Sequence, residues 1–136
     1  MDFSALKPKI AELAQTYGLS LVVLFGSQAT GKTHKESDVD VAYLSGKKLS
    51  FDDEVQVNFR LTEIFRNDKV SLVNLKTASP LLLKQIMTKA IVLHEGMPHL
   101  FVEEFLRALR LYEEAKPLFE LRRQYLDQKI AEYRHG

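Results

Sequence analysis

The chain has 136 residues, 46% hydrophobic and 27% charged, enough for one soluble domain with a real core. A net charge of +1 gives no global electrostatic case for nucleic acid or a membrane surface. The absence of cysteine excludes disulfides, thiol nucleophiles and Cys-ligated zinc, and no apolar run approaches the ~18 residues of a membrane span.

The first segment, MDFSALKPKIAEL, carries an acid early and lacks a signal-peptide core, so a cytoplasmic location is expected. Residues 4–17 read as a helix capped by Ser4, with Leu6, Ile10, Leu13, Ala14 and Tyr17 on one face. Gly18 supplies its stop. Leu19 to Phe25 is a continuous apolar run, the pattern of a strand buried on both faces. Residues 27–36 are small and polar, with room for a turn or two of helix. Val39 to Leu44 reads as a second strand.

Asp52 to Phe65 has the pattern of a helix with acids in its first turn. Val55, Phe59 and the Ile64/Phe65 pair are its expected buried face. Val70 to Leu75 is a third strand. Ser79-Pro80 starts another helix, and Ala90 to Leu93 is a short fourth strand. From His99 to about Tyr133 the pattern is helical, with a stripe of Phe101, Phe105, Leu109 and Tyr112. Pro117 is expected to divide this segment into two helices, because an interior proline costs about 3 kcal/mol. The expected architecture is an α/β fold with a small mixed sheet flanked by helices. Residues 1–97 form its main domain and residues 98–136 a C-terminal helical extension of the same unit.

Two nucleotide-binding signatures overlap in FGSQATGKTHKESDVDVAYL, residues 25–44. The first is G-x-x-x-x-G-K-T, Gly26 to Thr33, the pattern of a P-loop. A P-loop needs a helix starting near Lys32, yet only His34 to Ser37 separate Thr33 from the next strand. A crossover to a parallel strand takes a dozen or more residues. The later strand VSLVNL also lacks the acid that such a site requires.

The second signature is Gly26-Ser27 followed, ten residues on, by Asp38-x-Asp40. Where a buried strand enters a short helix, backbone N–H groups and the Ser27 hydroxyl can hold phosphate oxygens. Gly26 removes the side chain that would block that approach. Asp38 and Asp40 are two apart on a strand, so both carboxylates project from one face. Such a pair suits hard Mg²⁺ ions bridging to a triphosphate. In a two-metal site one ion activates the attacking oxygen and the other stabilises the leaving pyrophosphate.

These residues resemble the G-S-x(10)-D-x-D signature of the DNA polymerase β-like nucleotidyltransferase superfamily, and the short chain is similar to its minimal, MNT-type members. The resemblance spans about residues 5–96. It implies a polymerase β palm-like fold, with Gly26 and Ser27 on the nucleotide phosphates and Asp38 and Asp40 on Mg²⁺, two ions per site. It also implies an antitoxin that transfers AMP from ATP to a tyrosine of a HEPN toxin. HEPN proteins carry R-x(4–6)-H, which this chain lacks, so that partner would be a separate polypeptide. The family's third strand often reads VDLVDL; here Ser71 and Asn74 stand at those positions, and no third acid is evident.

Two other functions fit the same residues. One is a catalytically weak or inactive antitoxin that masks its partner, suggested by Ser71 and Asn74. The other is a nucleotidyltransferase for a small molecule such as an aminoglycoside, whose acceptor pocket so short a chain would complete as a homo-oligomer. The four histidines are scattered and form no metal-binding pair. Arginines of the C-terminal segment are offset by its glutamates, which argues against an RNA-binding face. Its apolar stripes, continued by Leu118, Leu121, Tyr125 and Ile130, suit a core or a partner helix.

Overall fold

A computed structural model of the chain describes residues 3–26, 29 and 38–135. Helix α1, Phe3–Tyr17, buries Ile10, Leu13 and Ala14. It begins one residue before Ser4, which is therefore inside the helix rather than its cap. Pro8 lies in the exposed N-terminal part of the helix, away from the buried Ile10, Leu13 and Ala14. Gly18 ends the helix with φ +70°, a conformation natural to glycine.

Strand β1, Leu19–Phe25, pairs antiparallel with β2, Val39–Ser45, on one side and with β4, Ile91–Glu95, on the other. β2 pairs in parallel with β3, Val70–Asn74, giving a mixed sheet of order β3-β2-β1-β4. With antiparallel neighbours on both sides, β1 is followed by no parallel crossover of the kind a P-loop requires. Gly31, Lys32 and Thr33 of the GKT motif themselves lie outside the described residues.

Each sheet face is covered. On one side α1 and helix α2, Phe51–Phe65, bury Ile10, Leu13, Val57 and Leu61 against Val22, Leu24, Val39, Val41 and Tyr43. On the other, helix α3, Pro80–Lys89, and helix α4, Leu100–His135, bury Leu83, Ile86, Met87 and Ala108 against Leu21, Val23 and Ala42. Ser50 starts α2 through a capping box with Asp53, and Ser79 caps α3 ahead of Pro80.

Two sequence expectations change. The buried face of α2 is Val57, Leu61 and Phe65, while Val55 and Phe59 are 47% and 59% exposed. And α4 is one helix of 36 residues running through Pro117. That proline is exposed, so water can satisfy the carbonyl it frees. No described helix is long and apolar enough to cross a membrane.

Candidate functional site

Alternation along β2 sends Val39, Val41 and Tyr43 into the core under α1 and α2. Asp40 and Ala42 face the other way. The register then builds one row across three strands: Phe25 of β1 opposite Asp40 of β2, and Asp40 beside Ser71 of β3. The next row, Val23, Ala42 and Val73, is already core. Asp40 thus stands where the apolar packing stops, with exposed Asp38 two residues before it.

Gly26 closes this end of the sheet. Its φ is +76°, and a Cβ built there would overlap Asp40 Oδ2 and lie 3.1 Å from Asp40 Cγ. The backbone turn therefore passes directly against the Asp40 carboxylate, which only glycine permits. Burial raises the Asp40 carboxyl above the usual carboxylate range, and the neighbouring Asp38 charge raises it further. Nothing cationic among the described residues offsets that charge at either aspartate. Two neighbouring carboxylates at the rim of a core form a hard-oxygen donor set, matched to a divalent cation with retained water or phosphate ligands.

Of the residues singled out in the sequence, Gly26, Asp38, Asp40 and Ser71 come together here. Ser27 lies outside the described residues. Asn74 is elsewhere: it pairs with Tyr43 at the far end of β3, and its side chain accepts the Lys76 N–H at 3.0 Å. It is a turn former, and Ser71 alone occupies the place beside Asp40. Among the described residues no three His, Cys, Asp or Glu side chains converge on a common point.

What the sequence did not reveal is the neighbour of this row. A cleft of about 300 Å³ opens beside Gly26 and Phe25, walled by α3. A larger hollow of about 380 Å³, with Lys47, Lys48 and Lys76 on its walls, lies at the opposite end of β2 and is remote from the carboxylates. Tyr43, nearby, is buried and donates to Glu54 Oε1 at 2.9 Å, and burial followed by that bond keeps its phenol protonated far above the usual range.

The polymerase β nucleotidyltransferase family, described as "Polymerase beta, Nucleotidyltransferase", matches residues 8–97. Protein adenylyltransferase MntA of Shewanella oneidensis is 35% identical over 71 residues, 52% of this chain and 50% of that protein, so the matched region spans half the relative's length. A chain of a toxin–antitoxin complex crystallised with AMP-PNP superposes with a TM-score of 0.73 at 26% identity, covering 92% of this chain and 98% of that one. A chain from the complex of a tri-AMPylated S. oneidensis HEPN toxin with its MNT antitoxin gives 0.69 at 23% identity, covering 96% and 99%, a likeness of fold.

Proposed function

The chain belongs to the polymerase β nucleotidyltransferase family, and from that premise we propose that it transfers AMP from Mg²⁺-ATP to a hydroxyl, a tyrosine, of a separate HEPN-type toxin in the cytoplasm and so acts as its antitoxin. The observation that carries this reading is the Asp38/Asp40 pair set against the Gly26 turn, in a fold shared with an AMP-PNP-bound toxin–antitoxin complex. The relatives' names supply the acceptor: one is a protein adenylyltransferase, and another neighbour accompanies an AMPylated HEPN toxin.

In this reading Asp38 and Asp40 hold the metal, two ions in all, and Gly26 with Ser27 holds the β- and γ-phosphates through N–H groups and a hydroxyl. The bound Mg²⁺ supplies positive charge against the triphosphate. The acceptor oxygen bonds to the α-phosphorus, and the bond from that phosphorus to the oxygen bridging to the β-phosphate breaks. Pyrophosphate leaves, and the hydroxyl proton passes to solvent. Gly26 contributes by admitting the phosphates within reach of Asp40. Residues 1–97 carry this chemistry, and residues 98–136 extend it.

The test is incubation with ATP labelled at the α-phosphate, Mg²⁺ and the product of the adjacent gene. Wild type is expected to label a tyrosine of that protein, and Asp38→Ala/Asp40→Ala is expected to lose the label. Absence of transfer by wild type, or equal transfer by the double variant, sinks the proposal. Ser71 favours a second reading, in which the chain masks its partner with little or no turnover. Under it Asp40→Ala would still neutralise the toxin; a variant that binds the toxin yet fails to neutralise it rejects masking.

A further inference from the structure

Strand β3 is an edge of the sheet, with β2 on one side and no paired strand on the other among the described residues. Charges, prolines and bulges are what usually protect an open edge. β3 reads VSLVN, with no charge and no proline, and its register with β2 runs without a bulge. Its ladder shows which backbone groups are open. Val39 donates to the Lys69 carbonyl at 2.8 Å, and Leu75 donates to the Tyr43 carbonyl at 2.9 Å. Alternate residues of a parallel strand bond to the same neighbour, so Ser71 and Val73 also face β2. Val70, Leu72 and Asn74 turn their backbone groups to the open side. There Asn58 donates to the Val70 carbonyl at 3.0 Å, and Thr77 occupies the Asn74 carbonyl through its N–H and its hydroxyl. The Leu72 N–H and carbonyl and the Asn74 N–H stay open, and the Val70 carbonyl keeps a lone pair.

The side chains beside this edge are apolar. A hollow of about 280 Å³ lies between it and α2, lined by Phe51, Glu54, Val55, Asn58 and Leu72. Phe51, Val55 and Phe59 are exposed along α2, and Val70 and Leu72 lie on the same sheet face as that helix. The two ends of the edge carry opposite charge, Asp68 before the strand and Lys76 after it. Neither side chain makes an ion pair or hydrogen bond within the described residues.

We propose that this edge is an interface between two copies of the chain, paired antiparallel about a two-fold axis through Leu72. In that register Leu72 exchanges both backbone bonds with its own counterpart, and each Asn74 N–H reaches the Val70 carbonyl of the second copy. Asp68 of one copy then meets Lys76 of the other, at both ends. Val55 lines the hollow with Leu72, so the same axis sets Val55 against Val55 and Phe51 against Phe59 of the antiparallel second helix. An extended segment of some other protein could satisfy the backbone alone. A second copy also supplies the complementary charge at each end and the matching apolar stripe. One short strand and one helix stripe per copy make a small interface, so dissociation in the micromolar range is expected.

The experiment is sedimentation equilibrium of the full chain from about 5 to 500 µM, a span that brackets such an affinity. Wild type is expected to pass from monomer to dimer. Val55→Glu alters an exposed position on the axis and is expected to weaken the dimer about tenfold or more, with circular dichroism verifying the fold. Leu121→Glu, exposed on α4, is expected to dimerise as wild type. Asp68→Lys and Lys76→Asp each set like charges together at both ends and are expected to weaken the dimer about fivefold. An equimolar mixture of the two is expected to regain wild-type affinity, because each supplies the charge that the other lacks. A monomeric wild type overturns the proposal. So does a dimer that survives Val55→Glu and is lost in Leu121→Glu, which moves the interface to α4. Charge variants that dimerise as wild type, or a mixture that recovers nothing, overturn the strand pairing. A monomeric wild type whose Val55→Glu form no longer binds the adjacent gene's product gives the face to that partner instead. The measurement uses no nucleotide, so its failure leaves the transfer reading standing.

Discussion

Asp40 carries an energetic cost that the proposed metal-binding role would account for. Its carboxyl is raised above the ordinary range by burial and then by Asp38, so the folded state binds that proton more tightly than the unfolded chain does. Stability of the metal-free protein is therefore greater below the unfolded carboxylate range and falls as pH rises through the folded pKa. Asp40→Asn keeps the shape and removes the charge. In chelator at pH 7 the variant is expected to melt above wild type, and the difference should close at acid pH, where the wild-type carboxyl is protonated in both states. Added Mg²⁺ should then stabilise wild type and leave the variant unmoved. Equal melting curves at pH 7 in chelator would show that the carboxylate is not strained. Two members of the site were legible in the sequence at this scale, because Asp38-x-Asp40 needs only strand alternation to share a face. The row Phe25–Asp40–Ser71 was not, since register is a property of paired strands. Alternation already sets Ser71 and Asn74, three apart, on opposite faces of β3, and pairing then shows that Ser71 is the one beside Asp40.

Among the elements, α2 shows what periodicity leaves open. It carries two apolar stripes, Phe51, Val55 and Phe59, and Val57, Leu61 and Phe65. Each repeats every four residues, and the two are offset by two residues, about 200° around a helix of 3.6 residues per turn. Either could face a core. The sheet selects the second, and Phe51, Val55 and Phe59 remain exposed. The start of the same helix is settled locally. Ser50 accepts the Asp53 N–H at 3.1 Å, and its own N–H donates to Asp53 Oδ2 at 3.3 Å. Ser50→Ala removes one of the orphan-donor partners and is expected to cost about 1 kcal/mol, read as a lowered urea midpoint at unchanged slope. A loss below the error of that measurement would mean that tertiary packing of Val57 and Leu61 alone positions α2. Strands β1 and β2 and the Ser79-Pro80 start were readable because they depend on residues close in sequence; the Ser50 cap, equally local, came to light only in the structure. The packing face of α2 depends on residues that are not.

At the scale of the whole molecule, the body and the end of α4 differ in kind. Up to Ala108 the helix buries one face against α3, and Arg107, paired with Glu104 on the same helix, donates to the Leu75 carbonyl in the turn after β3 at 3.2 Å. Lys84 of α3 lies over the Tyr112 ring at 3.8 Å, and Phe119 rests against the same ring. Beyond that, residues 120–135 are all exposed, including Leu121, Tyr125, Leu126 and Ile130. Their support is local: Arg123 with Glu120 and Lys129 with Glu132, exposed i,i+3 pairs worth a few tenths of a kcal/mol each. Pro117 interrupts the hydrogen-bond ladder between the two parts, which weakens propagation of helix from the packed half into the exposed half. The exposed half should therefore add little to the stability of the body. A chain ending at Glu120 is expected to melt within about 3 °C of the full chain, the shift that roughly 1 kcal/mol produces in a domain of this size. Under the proposed function it should also retain AMP-PNP affinity, because Gly26, Asp38 and Asp40 are untouched. Differential scanning calorimetry and the nucleotide titration read the two halves of that expectation separately. A much larger fall in melting temperature would show that the helix beyond Pro117 holds the body together, and a loss of affinity at unchanged melting temperature would extend the nucleotide site onto it.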